Sequence, residues 1–180
     1  EIITSDWSSD VCSSDLKPYG YMGLGDIMVF IFFGLVSVCG SYFLFTKSFS
    51  WDILLPASAI GLMSTAVLNL NNMRDMESDK ISGKNTLALR LGFRGAMVYQ
   101  MLLMQLPLVL ILIFLGVNQF FQTQNYYAFI VMILFFPLTK LRRSILQTKK
   151  QKDLDPFLKQ VGIITLMMAV LMAFGLNFFN

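Results

Sequence analysis

The sequence predicts an all-α, polytopic transmembrane helix bundle of about five spans. Composition is the first reason. Of 180 residues, 56% are hydrophobic and only 14% charged, with 17 Phe, 12 Met and a mean hydropathy of +0.63. A soluble domain carries roughly 45–50% apolar and about 25% charged residues, so this excess does not fit inside one small aqueous core. The second reason is that the apolar residues come in runs long enough to cross a bilayer. The third is that the basic residues alternate sides between those runs.

The runs cover 26–46, 53–71, 96–117, 126–139 and 161–179. Most approach 20 residues, and a rise of about 1.5 Å per residue makes about 30 Å of helix, the thickness of the hydrocarbon layer. The fourth run is short before Lys140 and reaches a full span only if it begins near Phe120. Thirteen of the 14 Lys and Arg residues fall before the first run, between runs two and three, or between runs four and five, leaving only Lys47 on the other side. The positive-inside rule then puts 72–94 and 140–160 in the cytoplasm and the C-terminus outside; the expected location is the cell inner (cytoplasmic) membrane. The basic stretch 140–152 is expected at the lipid surface, against anionic headgroups. The lipid bilayer is thus an expected partner, and no nucleic-acid partner is expected.

Residues 1–16 stand apart. They are rich in Ser and Asp, carry four acids and no base, and show no helical or strand period. They lack the basic and apolar regions of a signal peptide. This segment reads as translated adapter sequence or as a disordered polar tail, and the transmembrane domain is assigned to 17–180.

Several chemistries drop out. There is no histidine, and Cys12 and Cys39 are too few for a disulfide framework or a four-cysteine zinc site. Any metal must be held by carboxylates, which points to a hard ion such as Mg2+. Gly83-Lys84-Asn85-Thr86 imitates the end of a P-loop, but Ser78 stands where that loop needs glycine.

The segment after the second run holds the candidate chemistry. Asn69, Asn71 and Asn72 are followed by Arg74, Asp75, Glu77, Asp79, Lys80 and Lys84. On a helix Asn71, Asp75 and Asp79 lie at i, i+4 and i+8, along one stripe. Two carboxylates a turn apart can grip a hydrated Mg2+, which takes one or two carboxylates together with phosphate oxygens. Arg74, Lys80 and Lys84 add cations beside it, so the helix end suggests a diphosphate site. An ordinary polar loop with short-range pairs such as Glu77 with Lys80 is the competing reading.

The pattern Asn71-Asn72-x-Arg74-Asp75-x-x-x-Asp79-x-x-x-Gly83-Lys84-x-Thr86-Leu87-Ala88-x-Arg90-Leu91-Gly92 resembles the second aspartate-rich motif of the UbiA superfamily of intramembrane aromatic prenyltransferases. Its wording is most similar to the branch that prenylates 1,4-dihydroxy-2-naphthoate. Pro18-Tyr19-Gly20-Tyr21-x-Gly23-Leu24-Gly25-Asp26 resembles the loop before the fifth helix there. The resemblance implies an Mg2+-dependent transfer from polyprenyl diphosphate to 1,4-dihydroxy-2-naphthoate with loss of CO2, giving demethylmenaquinone, in a site facing the cytoplasm. It implies that Asp75 and Asp79 hold the metal and that Asn71 and Asn72 orient its ligands or bound water. Arg74, Lys80 and Lys84 become candidates for diphosphate contact, with Lys84 foremost. Tyr19 and Tyr21 either line the acceptor side or serve as interfacial anchors. Other acceptors (4-hydroxybenzoate, haem, a chlorophyllide) and a cation transporter or channel fragment are the alternatives.

The family has nine helices and two acidic motifs, whereas one motif is legible here. The resemblance therefore implies helices five to nine of an N-terminally truncated domain, inactive by itself. It also implies that the small residues of the second run (Ala57, Ser58, Ala59, Gly61, Ser64, Ala66) lack the partners that close packing needs.

Overall fold

The computed structural model describes residues 23–117, 126–148 and 150–177. Among them every regular element is helical. Helix α1 spans Gly25–Thr46 and contains a π-helical stretch, Phe30–Val36. It stops at Lys47, whose φ of 53° is left-handed and whose N–H donates to the Phe43 carbonyl. A 3-10 turn, Trp51–Ile53, leads into α2, Leu54–Arg74. The short α3, Met76–Ile81, precedes α4, Leu87–Phe114. A 3-10 stretch, Tyr126–Leu134, runs into α5, Phe135–Gln147, and a second, Gln151–Leu154, opens α6, Asp155–Asn177.

Four helical stretches of the described residues are long and apolar enough to cross a membrane: Gly25–Thr46, Trp51–Arg74, Leu87–Val117 and Gln151–Phe174. This is a transmembrane helix bundle. The run 126–139, expected as a further span, is helical but not one of these four. Its α5 half carries Lys140, Arg142 and Arg143, which break the apolar window, and 118–125, where the lengthening was expected, lie outside the described residues.

Helix α2 is the centre of the bundle and packs against α1, α4 and α6. This corrects the expectation that its small residues lack partners. Ala57, Ala59, Gly61 and Ala66 are buried, and Ser58 and Ser64 are half-buried. A Cβ on Gly34 of α1 would lie 2.6 Å from Gly61 Cα, so the two backbones meet with nothing between them. Without a hydrophobic drive between helices in lipid, such close packing is the main source of association.

The apolar side chains divide by type. Met63, Met73, Met104 and Met168 are buried, where an unbranched thioether fills irregular gaps. Phe32, Phe33, Phe45 and Phe136 are exposed on the bundle surface. Lipid-facing placement thus suits these Phe residues, but not those Met residues.

Candidate active site

The acidic segment sits where α2 gives way to α3. Asp75 joins them with φ −97° and ψ 10°, which breaks the helix at that residue. The hydrogen bonds still step by four: Asp75 N–H donates to the Asn71 carbonyl at 3.0 Å, and Asp79 N–H to the Asp75 carbonyl at 2.8 Å. The expected Asn71, Asp75, Asp79 stripe therefore persists across a local bend.

Helix α3 ends in a Schellman turn. Gly83 takes φ +72°, its N–H donates to the Lys80 carbonyl at 3.4 Å, and the Lys84 N–H donates to the Asp79 carbonyl at 3.0 Å. The turn carries Lys84 back over the helix, and its Nζ lies 3.1 Å from Asp79 Oδ1. Two residues on, Thr86 caps α4, its hydroxyl accepting from the Leu89 N–H at 3.3 Å. Gly92 then breaks α4 with φ 68° and ψ 167°. The Gly-Lys-x-Thr spacing is thus one helix stop followed by one helix start.

Each acid of the stripe meets a cation. Arg74 grips Asp75 with two parallel bonds, Nε to Oδ1 and Nη2 to Oδ2, both 2.8 Å. This guanidinium, foremost, holds the Asp75 carboxyl below the usual carboxylate range. Arg74 also donates Nη2 to Asn71 Oδ1 at 2.8 Å and Nη1 to Asp155 Oδ1, at the start of α6, at 2.7 Å. Asp79 is buried and Asp75 half-buried.

The other candidates are less engaged. Asn72 is half-buried on the last turn of α2, and no side-chain hydrogen bond of its own is found among the described residues. Lys80 and Glu77 are exposed. Lys80 lines a cleft with Lys84, Asn85 and Arg90. Tyr19 and Tyr21 lie outside the described residues. Gly23, at the end of their segment, packs on the motif: a Cβ there would lie 2.7 Å from the Asn85 carbonyl oxygen and 3.0 Å from the Arg90 guanidinium.

Sequence reasoning missed Asp155, which is 81 residues from Arg74 and carries no local signal. It also gave the basic stretch to the lipid surface alone. Lys150, Gln151 and Lys152 line an open cleft of about 980 Å³ with Arg74, Asp75 and Asp155. No group of three or more acids or cysteines that could hold a metal occurs among the described residues.

Comparison with known proteins now decides the family. The UbiA prenyltransferase family matches residues 14–162. The chain belongs to this family. It is 42% identical over 161 residues to the 1,4-dihydroxy-2-naphthoate octaprenyltransferase of Haemophilus influenzae, covering 89% of this chain and 51% of that protein. With the Escherichia coli protein of the same name it shares 36% over 160 residues, again 89% and 51%. A 2-carboxy-1,4-naphthoquinone phytyltransferase of Synechocystis is 31% identical over 91 residues, 50% of this chain and 30% of that protein. No solved structure matches. This UbiA-family chain spans about half the length of the relatives it matches.

Proposed function

We propose that this chain forms part of a site that transfers a polyprenyl group from its diphosphate to 1,4-dihydroxy-2-naphthoate. Diphosphate leaves the allylic carbon with the C–O electron pair, the ring carbon takes its place, and the ring carboxylate departs as CO2, leaving its electron pair to the ring and giving the quinol form, demethylmenaquinol. One observation carries the reading: both acids of the stripe are clamped by cations at a helix end, Arg74 on Asp75 and Lys84 on Asp79. The names of the relatives support a naphthoate acceptor over 4-hydroxybenzoate, haem or a chlorophyllide.

The donor set fits Mg2+, since two carboxylates suit an ion that completes its shell with water and phosphate oxygens. Bound between Asp75 and Asp79, Mg2+ would neutralise the charge of the diphosphate. The residues supply the rest. Arg74 and Lys84 can turn from carboxylate to phosphate, Arg74 in the cleft it lines with Asp75 and Lys84 in the adjoining one, the two sharing Glu77 and Gln151. Lys80 stands beside Lys84 to extend the cationic wall. Asn71, already bonded to Arg74, steers that guanidinium, and Asn72 faces the same helix end. The site faces the cytoplasm in this reading, because the basic loops flank it.

The test combines this chain with the N-terminal half of the Haemophilus influenzae relative in proteoliposomes. With Mg2+, polyprenyl diphosphate and dihydroxynaphthoate, prenylated product is expected from the pair. The chain alone is expected to give none, since two ion-paired carboxylates are few for a multiply charged diphosphate. Absence of product from the pair overturns the reading, and robust turnover by the chain alone overturns the need for a second acidic motif.

A further inference from the structure

Three buried side-chain polar atoms have no hydrogen-bond partner among the described residues: Asp26 Oδ2, Asn69 Oδ1 and Gln100 Nε2. All three fall in one seam where α1, α2 and α4 meet. Asp26 stands in the first turn of α1 and is 5% exposed. Its backbone carbonyl accepts from Thr65 Oγ1 of α2 at 3.4 Å, and the Tyr99 side chain of α4 lies beside its carboxylate. One turn along α2, Asn69 donates Nδ2 to Gln100 Oε1 at 2.9 Å and to the Ala96 carbonyl at 3.0 Å. Gln100 follows Tyr99 directly.

Clamping the helices accounts for the bonds that are made, but not for the three atoms left over. Polar groups at membrane depth are costly unless satisfied, and a buried carboxylate there marks a functional site by default. Two of the leftover atoms are acceptors and one is a donor. The complementary partner offers O–H groups to the two oxygens and an oxygen to the amide N–H. Water has that chemistry, and so does a dihydroxy aromatic carboxylate.

Position favours the aromatic partner. Asp26 closes the segment whose Gly23 packs on Asn85 and Arg90 and on whose Gly25 a Cβ would lie 3.6 Å from Leu68. Asn69 lies only two residues before Asn71. The seam is therefore buried one half-turn from the acidic helix end along α2. Resting on the transferase reading above, we infer that Asp26 Oδ2 accepts a hydrogen bond from a ring hydroxyl of the aromatic acceptor. Tyr99 is a positioning residue that fixes the carboxylate, and Asn69 and Gln100 offer an acceptor and a donor to the rest of the molecule.

The chain in lipid nanodiscs is titrated without oxygen with 1,4-dihydroxy-2-naphthoate and with its 1,4-dimethoxy counterpart, following ligand fluorescence. The dihydroxy compound should bind saturably and the dimethoxy compound at least about tenfold more weakly, the loss expected for one bond to a charged group. Asp26→Asn should weaken the dihydroxy compound by a similar factor and leave the dimethoxy compound unchanged, with the melting temperature kept. Tyr99→Phe should weaken it in the same direction by less. Equal binding of the two compounds by the unaltered chain, or no saturable binding, overturns the assignment and leaves the seam to water; this comparison needs no variant. Prenyl transfer is read separately with the paired halves. Binding without transfer would sink the transferase reading and leave the hydroxyl site standing.

Discussion

Lys84 Nζ sits 3.1 Å from Asp79 Oδ1 because Gly83, at φ +72°, folds the chain back over the end of α3. A Cβ on Gly83 would meet no atom within 4 Å, so Gly83→Ala tests the backbone alone. The left-handed residue should cost roughly 1 kcal/mol without Gly. The melting temperature should fall by a few degrees. KM for the polyprenyl diphosphate should rise more than KM for the acceptor, since Lys84 would lose its seat. Equal change in both constants would separate Lys84 from the diphosphate.

Asp75→Ala or Asp79→Ala, in the paired assembly, should lower turnover by orders of magnitude while the protein still inserts. On the proposed reading, one or two carboxylates would be the metal ligands on this side. Glu77→Gln should matter little, because Glu77 stands about 200° from Asp75 at ~100° per residue and is exposed. The check is turnover against Mg2+ concentration. Near-normal activity in Asp75→Asn would remove Asp75 from the metal site.

The Arg74 guanidinium depresses the Asp75 carboxyl, and this sets the direction of a pH effect. A lowered carboxylate contributes stability above its unfolded value of about 3.9 and loses it as pH falls through the lower folded value. The α2–α3 junction should therefore stay intact at mildly acidic pH and weaken below about pH 4. In Arg74→Gln the pH dependence should shrink and the loss be complete at a higher pH, because the folded value moves up toward the unchanged unfolded one. Melting temperature measured across pH 2–6, about two units either side of 3.9, decides the point. Asp75 is a third exposed, so the effect is modest.

Orientation follows from the distribution of basic residues. With Cys12 and Cys39 replaced by Ser, a cysteine placed at Gln122 should react with an impermeant thiol reagent added outside intact cells. One placed at Ser82 should react only after permeabilisation. Labelling at Ser82 alone would invert the topology.

Much of this was legible beforehand, for a physical reason. Bilayer thickness imposes a length on apolar runs, so 26–46 and 53–71 announce themselves as helices. The Asn71 to Asp79 stripe was legible because the four-residue step is local. The bend at Asp75 was not, since it leaves the i to i−4 bonds in place and no glycine or proline marks it. Asp155 was invisible because its tie to Arg74 exists only once α6 docks beside α2. Lys150 and Lys152 share that blindness: charge patterning tells which side of the membrane a lysine occupies, but not whether it faces headgroups or a cleft.

The contact of Gly34 with Gly61 has a mechanical consequence. Helices that touch through side chains can slide by swapping rotamers, but two apposed backbones have no such bearing surface. α1 and α2 are therefore held at backbone distance there, and the seam around Asp26 and Thr65, formed by the same two helices, shares that spacing. Under the proposed function, a long isoprenoid would not thread between these two helices at that contact. On the proposed transferase reading its doorway would be a joint elsewhere in the bundle, and a variant that pries these helices apart, such as Gly34→Leu, whose side chain would meet the Ala57 carbonyl and the Gly61 N–H, should disturb the seam around Asp26.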